Sequence, residues 1–392
     1  MEQPTPPMPT TRRPYKEQRQ PTPEQERQVE EVRWRCRVLY HTALEQRRTG
    51  WGRGQGQSAT RFPQEAELTA LRAAFPADAA LHAQVLQEVL ARLETTYQAV
   101  FRRLAHGEKP GVPRFQGRHR SPSFPSKEYG TGAHLDNGTL VRATRGRIAA
   151  RWRRPLGGTP KTVTVSKEAD GWYVAFSCGE VPVQPLPQTG KETGIAVGLK
   201  VFLVTADGET VEHPRHYRNA EKAVATAQQR VSRRTKGSRR RNTARRVRAK
   251  KHQKVRGQRQ DFHHQTARWL VRQYDTISLE DLRVAHLVRN HRLAKSISAA
   301  GWAAVRTALA YKAVGAGKPV VVVVDAASTT QACSGGGTRV AKSLRLRTPL
   351  CPSCGLVLDR DENAASTIPW RGQRRRGLAG LPAGMHRAPA GL

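Results

Sequence analysis

The chain has 392 residues, with 68 Lys and Arg against 31 Asp and Glu and a formal net charge of +37 at pH 7. Its 37% hydrophobic content is enough for packed cores, and the length predicts two or three domains. No run approaches the ~18–20 apolar residues of a membrane span, and the Pro-, Thr- and Arg-rich start has no apolar segment of the kind a secretory signal carries.

Residues 1–22 read as a flexible basic arm. From Pro23 to Arg48 the pattern is helical, with Glu24 and Glu26 in a first turn and Val29, Val32, Cys36, Leu39, Tyr40 and Ala43 at spacings of three and four. A Gly-rich loop over Arg48–Ser58 follows, then a second helix over Ala79–Ala105 striped by Leu81, Val85, Val89, Leu90, Leu93, Tyr97, Val100, Phe101 and Leu104. Gly107–Ser126 is a basic loop. Thr162–Ser166 and Trp172–Ser177 alternate about Gly171, which predicts a hairpin. Pro182–Thr189 is a linker, and the hydrophobic pattern restarts at Gly194, where the main boundary is expected.

The second half opens with a strand-like run, Gly194–Thr205, and a hairpin through Asp207-Gly208 to a strand near Val211. Arg215–Tyr274 reads as one or two long helices. Thr276–Leu279 is a short strand ending at Glu280, and the five valines Val320–Val324 predict a fully buried strand. This order is α/β.

Three features carry chemistry. Between Arg230 and Arg259 there are fifteen Lys and Arg and no acid, among them Arg233, Arg234, Lys236, Arg239, Arg240, Arg241, Arg245 and Arg246. Such a segment repels itself unless it meets a polyanion, and a phosphate backbone is the natural one. A membrane surface is the alternative polyanion, and a solvated or disordered segment is the bland reading. Second, Cys351-Pro-Ser-Cys354-Gly355 is a C-x-x-C knuckle, and Cys333 lies at the distance of a partner knuckle whose second cysteine is replaced by Gly336. Cys333, Cys351 and Cys354 are therefore three candidate ligands, for a weakened Zn2+ site or a ribbon that has lost its metal. The five cysteines are odd in number and point to a reducing, cytoplasmic compartment rather than to disulfides. Third, Glu280 at a strand end and Asp361 in D-R-D-E-N-A-A suggest a divalent-metal site, although each could equally be a surface acid or a helix cap. Asp281 should face away from Glu280.

These motifs together resemble TnpB, the OrfB-type protein of insertion sequences, related to compact type V CRISPR effectors. The resemblance rests on G-I-A-V-G-L-K (Gly194–Lys200), S-R-R-T-K-G-S-R-R-R (Ser232–Arg241), S-L-E-D-L (Ser278–Leu282), N-H-R-L-A-K-S-I (Asn290–Ile297) with Gly301-Trp302, Y-K-A (Tyr311–Ala313), C-P-S-C-G and R-D-E-N-A-A (Arg360–Ala365). Weaker matches are P-T-P-E-Q (Pro21–Gln25) and K-P-G-V-P-R-F (Lys109–Phe115). The resemblance implies an α/β RuvC-like nuclease domain of RNase H fold with an inserted zinc-ribbon-like module, behind an N-terminal β-barrel wedge and helical recognition domain. It divides the chain into wedge and recognition regions at 23–190, RuvC-like domain at 191–325, ribbon at 326–358, a final RuvC helix at 359–370 and a basic tail at 371–392.

The resemblance also implies a guide RNA from the transposon's own end, a double-stranded DNA target beside a short motif, and Mg2+-dependent cleavage in a bacterial cytoplasm. Glu280 and Asp361 match two catalytic positions, but Ala196 stands where the family has its first catalytic Asp. The leading expectation is an RNA-guided DNA-binding protein with an impaired nuclease. The alternatives are an active nuclease with a rearranged site, in which Asp325 could be recruited, and a decayed insertion-sequence protein.

Overall fold

The structure, a computed structural model, describes residues 9–52, 60–117, 123–126, 129–130, 133–136, 139–142, 147–148, 152, 155–318, 320–327, 329–340 and 346–379. The chain divides into two compact units, Met1–Pro182 and Val183–Leu392. The division falls within the expected linker, after its first residue Pro182.

The first unit runs β1 (Thr10–Arg19), α1 (Pro23–Gly52), α2 (Arg61–Ala74), α3 (Pro76–Ala79), α4 (Ala83–Ala105), β2 (Ser123–Ser126), β3 (Ala133–Asp136), β4 (Thr139–Arg142), β5 (Arg147–Ile148), β6 (Thr159–Lys167) and β7 (Trp172–Pro182). The strands make a four-stranded sheet, β1-β7-β6-β2, and a three-stranded one, β3-β4-β5. The expected hairpin is β6-β7, and Val163, Val165, Trp172, Val174, Phe176 and Cys178 alternate into the core.

The expected flexible arm is corrected over residues 10–19. They form β1, an edge strand antiparallel to β7. An edge position tolerates Pro14, whose missing N–H is needed only by an inner strand. The basic side chains are held by aromatic faces, with Arg19 4.9 Å over Trp152 and Lys16 4.4 Å over Tyr173. Residues 1–8 of the expected arm lie outside the described residues.

Helix α1 starts at a reciprocal capping box. Gln25 N donates to Thr22 Oγ1 at 3.3 Å and Thr22 N to Gln25 Oε1 at 3.0 Å. Its predicted stripe is buried, as are Val85, Leu86, Val89, Leu90 and Leu93 of α4. The helix continues to Gly52, past the predicted loop start at Arg48, and residues 53–59 of that loop lie outside the described residues. Buried Arg47 binds Gln64 Oε1 of α2 at 2.9 Å and Glu94 Oε2 of α4 at 2.8 Å, so one guanidinium joins three helices.

The second unit runs β8 (Glu192–Val197), β9 (Val201–Thr205), β10 (Thr210–Glu212), α5 (His216–Ser232), α6 (Arg239–Gln273), β11 (Thr276–Glu280), α7 (Val284–Leu287), α8 (Ala294–Ala300), α9 (Trp302–Gly315), β12 (Val320–Val324) and α10 (Arg360–Ala379). Its sheet has the order β10-β9-β8-β11-β12. The first three strands are antiparallel, and β11 is parallel to both β8 and β12. The run Gly194–Thr205 is thus two strands. Strand β12 is an edge strand; Val322 and Val324 are buried while Val321 and Val323 are half-buried, which corrects the expectation of full burial. Helix α10 passes through the predicted tail start at 371 to Ala379, and residues 380–392 lie outside the described residues.

The two faces of this sheet differ. Ile195, Ile277 and Leu279 pack with Leu270 of α6 and Leu309 of α9. Ala196, Val322 and Val324 pack with Ala364, Ala365 and Ile368 of α10. Gly194 shares the α10 face, and a Cβ there would lie 2.2 Å from Ala365 O and 2.4 Å from Pro369 Cδ. Only glycine lets the helix backbone come this close. Gly194→Ala is expected to destabilise the chain by about 1–3 kcal/mol in denaturant titrations. Gly257→Ala, inside α6 with nothing within 4 Å of its Cβ, should instead be neutral or stabilise by up to ~1 kcal/mol.

Candidate metal centres and nucleic-acid interface

The parallel register Leu279↔Ile195, extended by one residue, sets Glu280 level with Ala196 on the face that meets α10. Asp361 lies in the first turn of α10. The place where a Cβ on Gly198 would sit is 3.6 Å from Asp361 Oδ2, so β8, β11 and α10 bring the three expected positions together. Asp281 faces away, as alternation predicts, and accepts from Arg306 Nη1 at 2.6 Å.

Glu280 is mostly buried, and burial pushes its carboxyl above the ordinary value, only partly offset by a hydrogen bond from the Thr329 hydroxyl. Asp361 Oδ2 accepts from Arg347 Nη1 at 3.2 Å, and Arg360 Nε lies 3.5 Å from Oδ1. Thr329, Arg347 and Arg360 were not singled out from sequence. A threonine and two arginines in so basic a chain carry no distinguishing signal. Asp325 is exposed and accepts from its own loop at Ala327 N, 3.0 Å. It joins no cluster of ligating side chains among the described residues.

This donor set does not fit a pair of divalent cations. Such centres use three or more carboxylates to hold ions ~3.5–4 Å apart. Here the strand position is a methyl and one of the two carboxylates is already paired with arginine.

The cysteine centre is built differently. Cys333 N donates to Thr338 O at 2.9 Å and Gly337 N to Cys333 O at 2.8 Å. Cys351 N donates to Leu356 O at 2.9 Å and Gly355 N to Cys351 O at 2.9 Å. The two knuckles repeat each other, and Gly337 and Gly355 hold the same left-handed turn at φ 73° and 69°. The sulfurs of Cys333, Cys351 and Cys354 lie within 4.8 Å of one another, with Cys333 Sγ and Cys354 Sγ 3.5 Å apart. The amides of Ser353 and Cys354 lower the Cys351 thiol to about 7. Three converging thiols, one readily ionised, can hold a metal ion and suit Zn2+. The repeat puts Gly336 opposite Cys354, and a Cβ there meets nothing within 4 Å. Asn363 locks the first knuckle to α10, accepting from Ser334 N at 2.9 Å and donating to Ala332 O at 2.7 Å.

The basic segment is two elements, not one helix. Arg233, Arg234 and Lys236 lie exposed in the turn after α5, and Ser238 caps α6 by accepting from Arg241 N at 3.1 Å. Arg239, Arg240, Arg245 and Arg246 are exposed on the first turns of α6. Arg241 is half-buried and closes the turn onto Arg234 O. Arg248 ties the helices together through Gln228 Oε1 at 2.6 Å. None of the eight predicted cations is ion-paired among the described residues.

A curated relative from Streptomyces pristinaespiralis, described as a "putative RNA-guided DNA endonuclease", is 33% identical over 410 residues, covering 98% of this chain and 99% of the relative. The chain belongs to the TnpB, or OrfB, family. The family model OrfB_IS605, "Probable transposase", matches residues 163–291, and the Cas12f1-like TNB domain matches residues 302–368. An Escherichia coli relative, InsQ, bears the same "putative RNA-guided DNA endonuclease" description and is 28% identical over 304 residues, or 73% of each chain. A Cas12f1–sgRNA–target DNA structure shares the fold at TM-score 0.58 and 14% identity, over 88% of this chain and 82% of that one. No helix among the described residues is long and apolar enough to cross a membrane.

The purified chain is expected to carry one zinc by elemental analysis and to lose it readily to a chelator. Gly336→Cys should retain zinc at chelator concentrations at least about tenfold higher, because it supplies the fourth tetrahedral ligand. Equal retention would place the fourth ligand elsewhere.

Proposed function

We propose that this chain is an RNA-guided DNA-binding protein of the TnpB family whose nuclease is impaired at Ala196. The observation that carries this reading is the Ala196 methyl, packed against Ala364, Ala365 and Ile368 where a metal-bridging carboxylate is needed. An RNA guide and a DNA target accord with the descriptions of its relatives; in this reading the guide comes from the element's end and the target is double-stranded. The cations from Arg233 to Arg246, in the α5–α6 turn and the first turns of α6, supply sequence-independent phosphate contacts, and base pairing to the guide supplies specificity. In the first unit, the β1-β7-β6-β2 sheet acts as the wedge and α1–α4 as the recognition helices. The cysteine module is a zinc ribbon one ligand short.

Cleavage chemistry would come from Mg2+ held by three carboxylates, and this chain offers two. Arg347 pairs with Asp361 and Arg371 lies near Glu280, which offsets the charge of these two acids.

The test is a ribonucleoprotein expressed with its own flanking DNA. The wild type should bind matched DNA in preference to mismatched DNA and leave it intact in Mg2+. Ala196→Asp should raise cleavage at least ~10²-fold, the scale of restoring one essential electrostatic group. Cleavage by the wild type that Asp361→Ala abolishes would overturn the impaired-nuclease reading.

A further inference from the structure

On the second unit a cleft of about 520 Å³ opens between the start of α5, the middle of α6 and the end of α8. Its size lies within the ~300–1,000 Å³ range of small-ligand sites. Its wall is a cluster of rings. Phe202 packs edge-on against Phe262 at 4.7 Å and His213 at 5.6 Å, and stacks on His263 at 5.8 Å. His216 meets Phe262 edge-on at 6.1 Å.

His263 is buried and bonds Ala300 O through Nε2 at 2.8 Å, which makes that nitrogen the protonated one. Burial lowers the pKa values of both His213 and His263. Both therefore present neutral imidazole faces at neutral pH.

The lip is His213-Pro214-Arg215-His216. Arg215 holds a left-handed backbone at φ 50°, rare for any residue with a Cβ. Its amide donates to His213 Nδ1 at 3.1 Å. Strain of this kind persists where surrounding structure enforces it, and it concentrates at ligand-binding positions. Here it puts an exposed arginine at the mouth of an aromatic cleft. Arg218 and Arg259 also line the mouth, anchored to Ser296 Oγ at 3.4 Å and Ser298 O at 3.1 Å.

An apolar ring-lined interior with guanidinium groups at its mouth matches one ligand class, a flat heteroaromatic base carrying a phosphate. We propose that this cleft takes a single unstacked nucleotide of the bound polynucleotide, its base against the Phe262 and His216 rings and its phosphate on Arg215. The inference rests on the reading that the chain binds nucleic acid. It adds a base-sized socket to a surface otherwise built for phosphate alone. Such a socket fixes the register of the strand on the protein, which a run of point charges does not.

Photocrosslinking of the full chain to single-stranded oligomers tests it, with RNA bearing 4-thiouridine and DNA bearing 4-thiothymidine throughout. Mass spectrometry is expected to find crosslinks in the peptides spanning His213–Arg218 or Phe262–His263. Crosslinks with RNA alone, DNA alone or both each support the socket and identify its source. Arg215→Gly should fold normally, because glycine adopts the left-handed backbone freely, and should lower cleft crosslinking at least about fivefold. Ala299→Phe, which fills the cleft from α8, should do the same. Overall affinity should change less than about threefold in either variant, because α6 retains its cations. Binding with crosslinks confined to the basic turns of α6 from Arg239 to Arg256 would overturn the socket alone. Failure of both oligomers to bind would overturn the nucleic-acid reading with it.

Discussion

The seat of α10 on β8 is the contact on which the second unit's site depends. Gly194 and Ala196 form a small-residue stripe along β8, and Gly198 follows just beyond its end. Without it the backbone of Ala365 could not approach β8, and Asp361 would not reach the level of Glu280. The stripe also explains how an alanine is accommodated at 196. Its methyl joins Val322, Val324, Ala364, Ala365 and Ile368 in a closed apolar cluster. A carboxylate there would be a charge in a nearly dry pocket, tolerable only with metal or hydrogen-bond compensation. An alanine at this position therefore suits packing.

The same turn of α10 serves the cysteine module. Asn363 holds the first knuckle, two residues from Asp361. Arg347, in the chain leading to the second knuckle, reaches Asp361 directly. Order in the ribbon and the position of the remaining acid are thus mechanically linked. The cysteine module keeps two equivalent knuckles although Gly336 stands opposite Cys354, because their backbone hydrogen bonds and paired left-handed glycines do not require a second sulfur.

The sequence was most legible where periodicity and side-chain chemistry agree. The α1 stripe, the β6-β7 alternation, the strand ending at Glu280 and the three converging cysteines could all be read directly. Strand β1 was obscured by its arginines and proline, because its stability comes from pairing with β7 and from aromatic faces far along the chain. Helix α2 is secured by buried Gln64 and Leu68, too few apolar positions for a clear stripe. The fifteen cations left open whether Arg215–Tyr274 is one helix or two, since Ser238 caps α6 within a run of charge. Thr329 and Arg347 became visible only when folding brought distant loops onto Glu280 and Asp361.

The central claim is that the two remaining carboxylates do not hold a pair of divalent ions. Mn2+ binding followed by electron paramagnetic resonance, on zinc-loaded chain in the absence of nucleic acid, tests it most directly. The account predicts no spin-coupled Mn2+ pair in the wild type and a coupled pair once Ala196→Asp is introduced. A coupled pair in the wild type, lost in Asp361→Ala, would contradict it.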